Sequence, residues 1–318
     1  MHSAVPRKVG IVTPLRFLSI LDFGPAELEA CLALAAEMKR ARGAGVRQVR
    51  PLDGRHIALL FEKPSLRTRS TFQIAVRELG GDVIEPPHDA TFAGRERIED
   101  VARNLERWVF GAVVRTFAQS RLEAFAAAAP RLRVINALTD EEHPCQALAD
   151  CLTLIERFGS LRGRTLAYVG DGNNVALSLA QAAVMLGAAV RIASPPGYEL
   201  QERARQSIVR GARSGGSLLL TNDPRDAVRG ADAVYTDVWT SMGQEDEAKE
   251  RQALFAPYQV NSVLMARAGK GAVFMHCLPA HRGEEVTDEV IDSEASVVFD
   301  QAENRLHVQK ALLAMMAG

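Results

Sequence analysis

The sequence has no excess of either charge. Its 38 Lys and Arg residues balance 39 Asp and Glu residues, which gives a formal net charge of −1. A protein that binds a polyanion such as DNA usually carries a basic domain or a basic stripe. The balance therefore argues against a nucleic-acid partner. Because only six of the basic residues are Lys, arginine is common throughout and an isolated Arg match carries little weight.

Cysteine is scarce as well. The 318 residues contain four cysteines, at positions 31, 145, 151 and 277, and no two of them form a C-x-x-C pair. Such a set makes neither a disulfide framework nor a zinc site. We therefore expect no bound metal, no disulfide and a reducing compartment, the cytoplasm.

Long hydrophobic runs that would indicate a membrane protein are also missing. Pro14, Arg16 and Asp22 interrupt the apolar stretch near the N-terminus, so no secretory signal is expected. The uncharged run 172–190 is long enough to span a bilayer, but it contains several amides and a glycine. We interpret it as a buried helix that leads into a strand, and we expect no membrane segment.

What the sequence does contain is a regular alternation of short β-branched runs with helical patterns. This alternation is typical of parallel sheets covered by helices on both faces. The predicted strands are Ile57–Glu62, Asp82–Glu85, Gly111–Phe117, Leu132–Ala137, Thr165–Val169, Ala189–Ala193, Leu218–Leu220, Ala233–Asp237, Ala272–Cys277 and Val297–Phe299. The predicted helices are Arg69–Leu79, Ile98–Trp108, Leu122–Ala129, Val175–Leu186, Glu199–Ser214 and Ala302–Met316, with a further helix that begins near His143.

The strands fall into two series, so the chain is predicted to be an α/β protein of two doubly wound parallel-sheet lobes. We place the first domain at 1–142 and the second at 143–301, with a last helix at 302–318. In open α/β sheets ligands bind outside the carboxyl ends of the strands. The cleft between the lobes is therefore where we expect an active site.

Six segments at predicted strand ends carry polar side chains suited to anion and amine chemistry. Ser65, Arg67 and Thr68 lie at the start of a predicted helix and are suited to bind a phosphate dianion. Free N–H groups and Arg side chains favour anions there. The remaining segments are Arg115-Thr116, His143-Pro144-Cys145-Gln146, Gly170–Asn174, Asp237–Gly243 and His276–Pro279. Taken singly, each also has an ordinary explanation as a cap, a turn or a surface charge, and for Arg115 alone and His143 alone that explanation is the favoured one.

Two of these segments resemble a nicotinamide site and a nucleophilic cysteine, but the residues around them argue against both functions. Gly170-Asp171-Gly172 resembles half of a dinucleotide fingerprint, but the third Gly and the acidic residue after the next strand are missing. We therefore reject a nicotinamide cofactor. A nucleophilic role for Cys277 needs a base, and the side chain of its neighbour His276 faces the other side of the strand. A covalent mechanism is not favoured.

The order of the segments closely resembles the ornithine carbamoyltransferases of the aspartate/ornithine carbamoyltransferase family. Similar stretches also occur at Pro257–Asn261 and Val298–Arg305, and the likeness runs from about Phe17 to near the C-terminus. The resemblance implies a first lobe that binds carbamoyl phosphate, a second lobe that binds ornithine, and a last helix that packs back on the first lobe. It also implies homotrimers or multiples of trimers, and no cofactor.

The resemblance assigns roles position by position. Catalysis falls to Arg115, His143 and Cys277. Ornithine binding falls to Asn174, Asp237, Ser241 and Met242. Carbamoyl phosphate binding falls to Ser65, Leu66, Arg67, Thr68, Arg115, His143, Pro144, Cys145, Gln146, Cys277, Leu278 and Arg305.

The chain departs from the family pattern at two positions. Leu66 stands where many members carry a second Thr, so only its backbone N–H is left to serve a phosphate. Phe92 stands where many members carry a Gln that reaches a neighbouring subunit's site, and a Phe side chain cannot donate a hydrogen bond.

The implied reaction is the transfer of a carbamoyl group from carbamoyl phosphate to the δ-amine of ornithine, giving citrulline in arginine metabolism. Other carbamoyl acceptors, namely aspartate, putrescine or N-acetylornithine, are the nearest alternatives. A non-catalytic binding protein is a further alternative. An aspartate enzyme would need extra cationic groups, whereas Cys277 is followed here by Leu278, Pro279 and Ala280.

Overall fold

A computed structural model of the chain describes residues 15–46, 49–87, 94, 96–212, 215–240 and 248–318. The first lobe contains a sheet built from β1 (Arg16–Phe17), β2 (His56–Phe61), β3 (Asp82–Ile84), β4 (Gly111–Arg115) and β5 (Arg133–Leu138). Its helices are α1 (Pro25–Gly43), α2 (Leu66–Glu78), α3 (Ile98–Trp108) and α4 (Gln119–Ala128). The helix α5 (Pro144–Phe158) then leads into the second lobe.

The second lobe contains β6 (Thr165–Val169), β7 (Ala189–Ala193), β8 (Ser217–Thr221), β9 (Ala233–Thr236) and β10 (Val273–His276). Its helices are α6 (Asn174–Met185), α7 (Glu202–Gly211), α8 (Pro224–Val228), α9 (Ala248–Phe255), α10 (Ser262–Met265) and α11 (Asp288–Ile291). The last helix is α12 (Val298–Ala317), which packs against α1, α2 and α5.

Both sheets are parallel, as predicted. The strand order is β1-β5-β4-β2-β3 in the first lobe and β10-β9-β6-β7-β8 in the second. In each sheet the chain moves first to one side of a central strand and then to the other. The order therefore reverses between β2 and β4, and again between β6 and β9. These two switch points are where an α/β sheet opens a crevice at its carboxyl edge.

The strands are apolar because helices cover both of their faces. Every residue of β4 is buried, and β2 is buried from Ile57 to Phe61. Fully buried strands of this kind are typical of parallel sheets. Within the described residues no helix is long and apolar enough to cross a membrane.

One predicted strand is wrong. Val297–Phe299 does not form a strand, because Val297 is the N-cap of α12 and Val298 begins that helix. The β-branched pair is buried, with the Val297 N–H donating to the Phe274 carbonyl of β10. Burial in a helix start produces the same apolar signal as a short strand. Helix α1 was not predicted, although Leu28, Cys31, Ala35 and Met38 are buried at helical spacing.

Candidate active site

Four of the six polar segments singled out in the sequence lie at the two switch points, and the other two follow the neighbouring strands β5 and β10. Strand β2 leads into Ser65 and α2, and the adjacent strand β4 ends at Arg115, whose register partner on β2 is Phe61. In the second lobe β6 leads into Gly170, and its neighbour β9 is followed by Asp237. The sheet topology thus gathers these side chains at the carboxyl edges of the sheets.

The start of α2 forms the first part of the site. Ser65 is the N-cap, and its side chain accepts a hydrogen bond from the Thr68 N–H. Leu66 lies at the first helical position with its side chain 78% exposed, so only its backbone N–H faces the helix start. Free N–H groups at a helix N-terminus favour an anion.

Three arginines converge beside this helix start. Arg115 and Arg305 are buried, and within the described residues neither they nor Arg67 forms an ion pair with a carboxylate. Burial, together with the charges of Arg305 and Arg67, lowers the pKa of Arg115 to about 10. Burial likewise lowers the pKa of Arg305. Among the residues that the structure describes, the Nε atoms of Arg115 and Arg305 have no hydrogen-bond partner. Unpaired buried cations require an anionic partner.

Arg305 reaches the site from α12. Its guanidinium donates to Gln146 Oε1 at 2.8 Å and to the Thr68 hydroxyl. Because the Thr68 oxygen accepts from Arg305, its own proton remains available for a ligand. One helix at the end of the chain therefore ties the start of α2 to the start of α5.

His143 is the N-cap of α5, and Pro144 occupies the first turn. The imidazole is buried, and its Nδ1 has no hydrogen-bond partner in the described part of the chain. Burial, together with the charges of Arg305 and Arg115, holds the pKa of His143 well below its usual value. The ring is thus neutral near pH 7. Cys145 faces the core, where its thiol donates to the Asn136 carbonyl, and burial raises its pKa to about 12.

Asp150 is a site residue that the sequence did not reveal. It lies one turn after Gln146 on α5, fully buried, and its Oδ1 accepts from Gln146 Nε2 at 2.8 Å and from Gln301 Nε2 at 2.7 Å. Burial raises the pKa of Asp150 to about 7. The carboxylate holds the Gln146 amide with its oxygen turned towards Arg305. The i, i+4 spacing of the two residues was the available signal.

In the second lobe, the turn Gly170–Asn174 needs glycine at two positions for steric and backbone reasons. A Cβ on Gly172 would lie 2.4 Å from the Leu200 nitrogen, and Gly170 has φ of 140°. Asn173 caps α6 by accepting from the Val175 and Ala176 N–H groups. The two glycines thus serve close packing of this turn.

The two asparagines of this turn point to different partners. Asn173 Nδ2 donates to Asp237 Oδ2 at 3.0 Å. Asn174 Nδ2 donates instead to the Thr139 carbonyl of the first lobe at 2.6 Å. The role of Asn174 as an ornithine ligand stays a prediction, and Asn173 joins the residues next to Asp237.

Asp237 and Cys277 lie side by side across the β9–β10 pair. The Cys277 thiol donates to Asp237 Oδ1 at 2.9 Å. Burial raises the pKa of Cys277 well above its usual value, and the Asp237 charge raises it further. Cys277 is therefore a neutral thiol near pH 7. A neutral thiol is a poor nucleophile, in agreement with the sequence interpretation.

His276 is fully buried, and one of its ring nitrogens lies within 4.8 Å of the Cys277 Sγ and of an Asp237 oxygen. Its Nδ1 accepts from the Leu278 N–H at 2.8 Å, and its Nε2 lies 3.2 Å from Glu285 Oε1. Leu278 has φ of 56°, a conformation that few non-glycine residues adopt. The His276 ring thus holds the backbone after β10. Both of its nitrogens are engaged, so it offers no free ligand atom to a metal beside Asp237 and Cys277.

Three predicted site residues lie outside the described part of the chain, namely Phe92, Ser241 and Met242. The segment that precedes 241 is anchored by Arg251, a buried residue of α9 whose Nε donates to the Trp239 carbonyl at 2.6 Å. Its guanidinium also pairs with Asp171. These contacts hold the chain after β9 against the turn after β6.

Comparisons with known proteins agree with this arrangement. The carbamoyl-P binding domain of the aspartate/ornithine carbamoyltransferases matches residues 16–156, and the Asp/Orn binding domain of the same family matches residues 162–316. The ornithine carbamoyltransferase of Parafrankia sp. is 50% identical over 307 residues, 96% of each chain. The solved ornithine carbamoyltransferase from Pyrococcus furiosus is 47% identical with a TM-score of 0.90 and covers 96% of this chain and 98% of its own. For the Thermus thermophilus structure the identity is 44%, the TM-score 0.86 and the coverage 96% and 99%. The chain therefore belongs to the aspartate/ornithine carbamoyltransferase family.

Proposed function

We propose that this chain transfers the carbamoyl group of carbamoyl phosphate to the δ-amine of L-ornithine, giving L-citrulline and phosphate. The observation that carries the proposal is the convergence of an unpaired arginine cluster in the first lobe with Asp237 and Cys277 in the second. Gln301 lies one turn before Arg305 on α12, and its Oε1 accepts from the His276 N–H, next to Cys277, at 3.0 Å. The two groups therefore share one cleft. Two relatives that this chain matches over nearly their full length are ornithine carbamoyltransferases.

The phosphate binds at the start of α2. The backbone N–H groups of α2, the Thr68 hydroxyl and the guanidinium groups of Arg67, Arg115 and Arg305 supply its hydrogen bonds. Bound phosphate neutralises the arginine cluster, which raises the Arg pKa values back towards their usual range. Bidentate Arg–phosphate contacts are among the strongest hydrogen bonds that proteins form.

The carbamoyl group is oriented by the start of α5. The Gln146 oxygen, which Asp150 turns towards the cleft, accepts from the carbamoyl NH2 group. The neutral His143 ring and Arg115 donate to the carbamoyl oxygen and stabilise the charge that develops on it during attack. Loss of one such donor costs about 3–4 kcal/mol of transition-state stabilisation.

Ornithine binds from the second lobe with its α-ammonium group at Asp237. A δ-ammonium group with pKa ~10.4 costs about 4–5 kcal/mol to present as the neutral amine near pH 7. A carboxylate beside that group would raise the cost, because it favours the charged form. Asp237 therefore holds the α-ammonium group, which stays charged. The neutral Cys277 thiol and the Leu278 carbonyl orient the δ-amine.

In the reaction the δ-nitrogen forms a bond to the carbamoyl carbon, and the bond from that carbon to the phosphate oxygen breaks. The departing phosphate takes up the proton that the δ-amine loses. The chain's own residues supply positioning and charge stabilisation, the two contributions that dominate transfer reactions of this kind. No residue forms a covalent intermediate in this scheme.

We also propose a homotrimer, or a multiple of trimers, a role in arginine biosynthesis and a cytoplasmic location. Exposed apolar side chains on α2 and β3, namely Leu66, Ile74 and Ile84, support the oligomer. Four free thiols support the reducing compartment. The domain boundary near 142 and the assignment of 302–318 to the first lobe belong to the same proposal.

The test is citrulline formation from carbamoyl phosphate and ornithine, measured beside aspartate, putrescine and N-acetylornithine as acceptors. We expect citrulline and phosphate in equal amounts with ornithine and little phosphate with the other acceptors. Phosphate release with another amine, but not with ornithine, would overturn the proposal.

A further inference from the structure

A buried hydrogen-bond chain runs from the first lobe to the backbone of His143. Glu142 Oε1 accepts from the Ser19 hydroxyl at 2.8 Å, and Glu142 Oε2 accepts from the Ser178 hydroxyl. The Ser178 oxygen in turn accepts from the His143 N–H at 2.9 Å. Glu142, His143 and Ser178 are all buried.

This chain of hydrogen bonds crosses from one lobe to the other. Ser19, Glu142 and His143 belong to the first lobe and to the connection from β5 to α5, whereas Ser178 lies on α6 of the second lobe. A turn earlier on α6, Asn174 donates to the Thr139 carbonyl at 2.6 Å. The first two turns of α6 are therefore tied to the loop that precedes His143.

The number of protons that each group can donate fixes the direction of every hydrogen bond in this network. A serine hydroxyl has one proton, and Ser178 gives it to the Glu142 carboxylate. The Ser178 lone pair is thereby turned to the His143 N–H. A charged acceptor polarises the hydroxyl and strengthens the hydrogen bond behind it. Ionised Glu142 thus tightens the hold of Ser178 on His143.

The hold matters because, among the described residues, no hydrogen bond reaches this ring directly. The His143 Nδ1 has no hydrogen-bond partner, and its side chain does not cap α5. The backbone at His143 (φ −131°, ψ 61°) is not helical. The position of the imidazole therefore follows the position of its backbone, which Ser178 holds at the N–H and the first turn of α5 holds at the carbonyl.

We propose, resting on the function proposed above, that Ser178 and Glu142 are positioning residues that place His143 against the carbamoyl oxygen when the lobes meet. They touch neither substrate. Ser178 acts through the His143 backbone, and Glu142 acts through Ser178.

The proposal carries a pH dependence. Burial, together with the charge of Asp22, raises the pKa of Glu142 to about 7, against the hydrogen bonds from Ser178, Ser19 and Gln181. Glu142 also lines an interlobe cavity of about 560 Å³. The other charged groups that line this cavity are Glu123 of α4, Asp140 and Glu141 of its own loop, and Arg203 and Arg210 of α7. Asp22, in the turn after β1, also acts on Glu142 through its charge. Above pH 7 Glu142 is ionised and polarises Ser178, and below pH 7 it is protonated.

The first test is Ser178→Ala, with Ser194→Ala as its matched control. Ser194 is also a buried serine of the second lobe, but its hydroxyl has no partner. We expect Ser178→Ala to lower kcat about ten-fold to a hundred-fold, the effect of a misplaced catalytic group, while KM for carbamoyl phosphate changes less than three-fold. Ser194→Ala should leave kcat unchanged. Both variants should unfold at similar temperatures, so a folding defect would be recognised.

The second test is Glu142→Gln, which keeps the size of the side chain and removes its charge. We expect the ratio of wild-type kcat to variant kcat to be several-fold at pH 8 and close to one at pH 6. Asp150 titrates in both proteins, so its contribution cancels in the ratio. A ratio that is constant from pH 6 to pH 8, or a Ser178→Ala variant with unchanged kcat, would overturn the proposal. If the wild type makes no citrulline at all, the proposed function fails instead.

Discussion

Replacing Arg115 with Met should stabilise the ligand-free protein and, at the same time, nearly abolish turnover. Arg115 is 5% exposed, and within the described residues its guanidinium pairs with no carboxylate. Its nearest charges are the cations Arg305 and Arg67. Met retains the apolar part of the side chain and removes the charge, so the ligand-free cluster loses its internal repulsion.

The magnitude follows from the pKa of the group. A fall from 12.5 to about 10 means that the charged form is destabilised by about 3 kcal/mol in the folded protein. Met removes this cost of the buried charge, and imperfect packing of its side chain takes back part of the gain. We therefore expect the free energy of unfolding to rise by about 1–3 kcal/mol. Loss of a donor to the carbamoyl oxygen should lower kcat by a factor on the order of 10²–10³.

The assay is urea unfolding of both proteins at one protein concentration, with and without inorganic phosphate, beside citrulline formation. Phosphate at about a hundred times its dissociation constant should stabilise the wild type by about 2.7 kcal/mol, and it should stabilise Arg115→Met far less. Without phosphate the variant should be the more stable protein. A variant that is less stable than the wild type without phosphate, or that retains normal turnover, would refute the reasoning about the arginine cluster.

Three further predictions concern single carboxylate and thiol groups. Asp237→Asn should raise KM for ornithine on the order of a hundred-fold, the effect of a lost charge pair, and leave KM for carbamoyl phosphate unchanged in steady-state kinetics; equal increases would remove Asp237 from its assigned role. Cys277→Ala should lower kcat only about ten-fold, the value of one hydrogen bond, and mass spectrometry should find no carbamoylated wild-type protein; a loss on the order of 10⁴ would instead indicate a nucleophile. The pKa of Asp150 is raised to about 7, so the stability that its protonated form contributes is lost as the pH rises through 7. Asp150→Asn should therefore gain stability relative to the wild type between pH 5 and pH 8 in thermal unfolding, and a difference independent of pH would contradict the assigned ionisation.

Much of the fold was readable from the sequence because parallel strands covered on both faces leave a continuous apolar run. The alternation of such runs with helices predicted both sheets, and the rule for strand ends predicted where Arg115 and Asp237 would lie. The error at Val297–Phe299 arose because two buried β-branched residues suit a helix start as well as a strand. Helix α1 was missed although its buried residues have helical spacing.

The residues that the sequence did not reveal act through partners far away in the chain. Ser178 meets Glu142 across 36 positions, and Gln301 meets Asp150 across 151. The local spacing of residues along the sequence cannot predict such pairs, because they form only when α6 and α12 pack against α5. The choice between Asn173 and Asn174 is likewise decided by packing, since both follow the same strand and only their side-chain directions differ.

The most direct test of the account is a crystal structure of the protein with phosphate and ornithine bound together, a pair that cannot react. The account predicts phosphate oxygens within hydrogen-bond distance of Thr68, Arg115 and Arg305, and the α-ammonium group of ornithine on Asp237 with the δ-amine near Cys277. Phosphate bound away from the arginine cluster, or ornithine reversed with its δ-amine on Asp237, would contradict it.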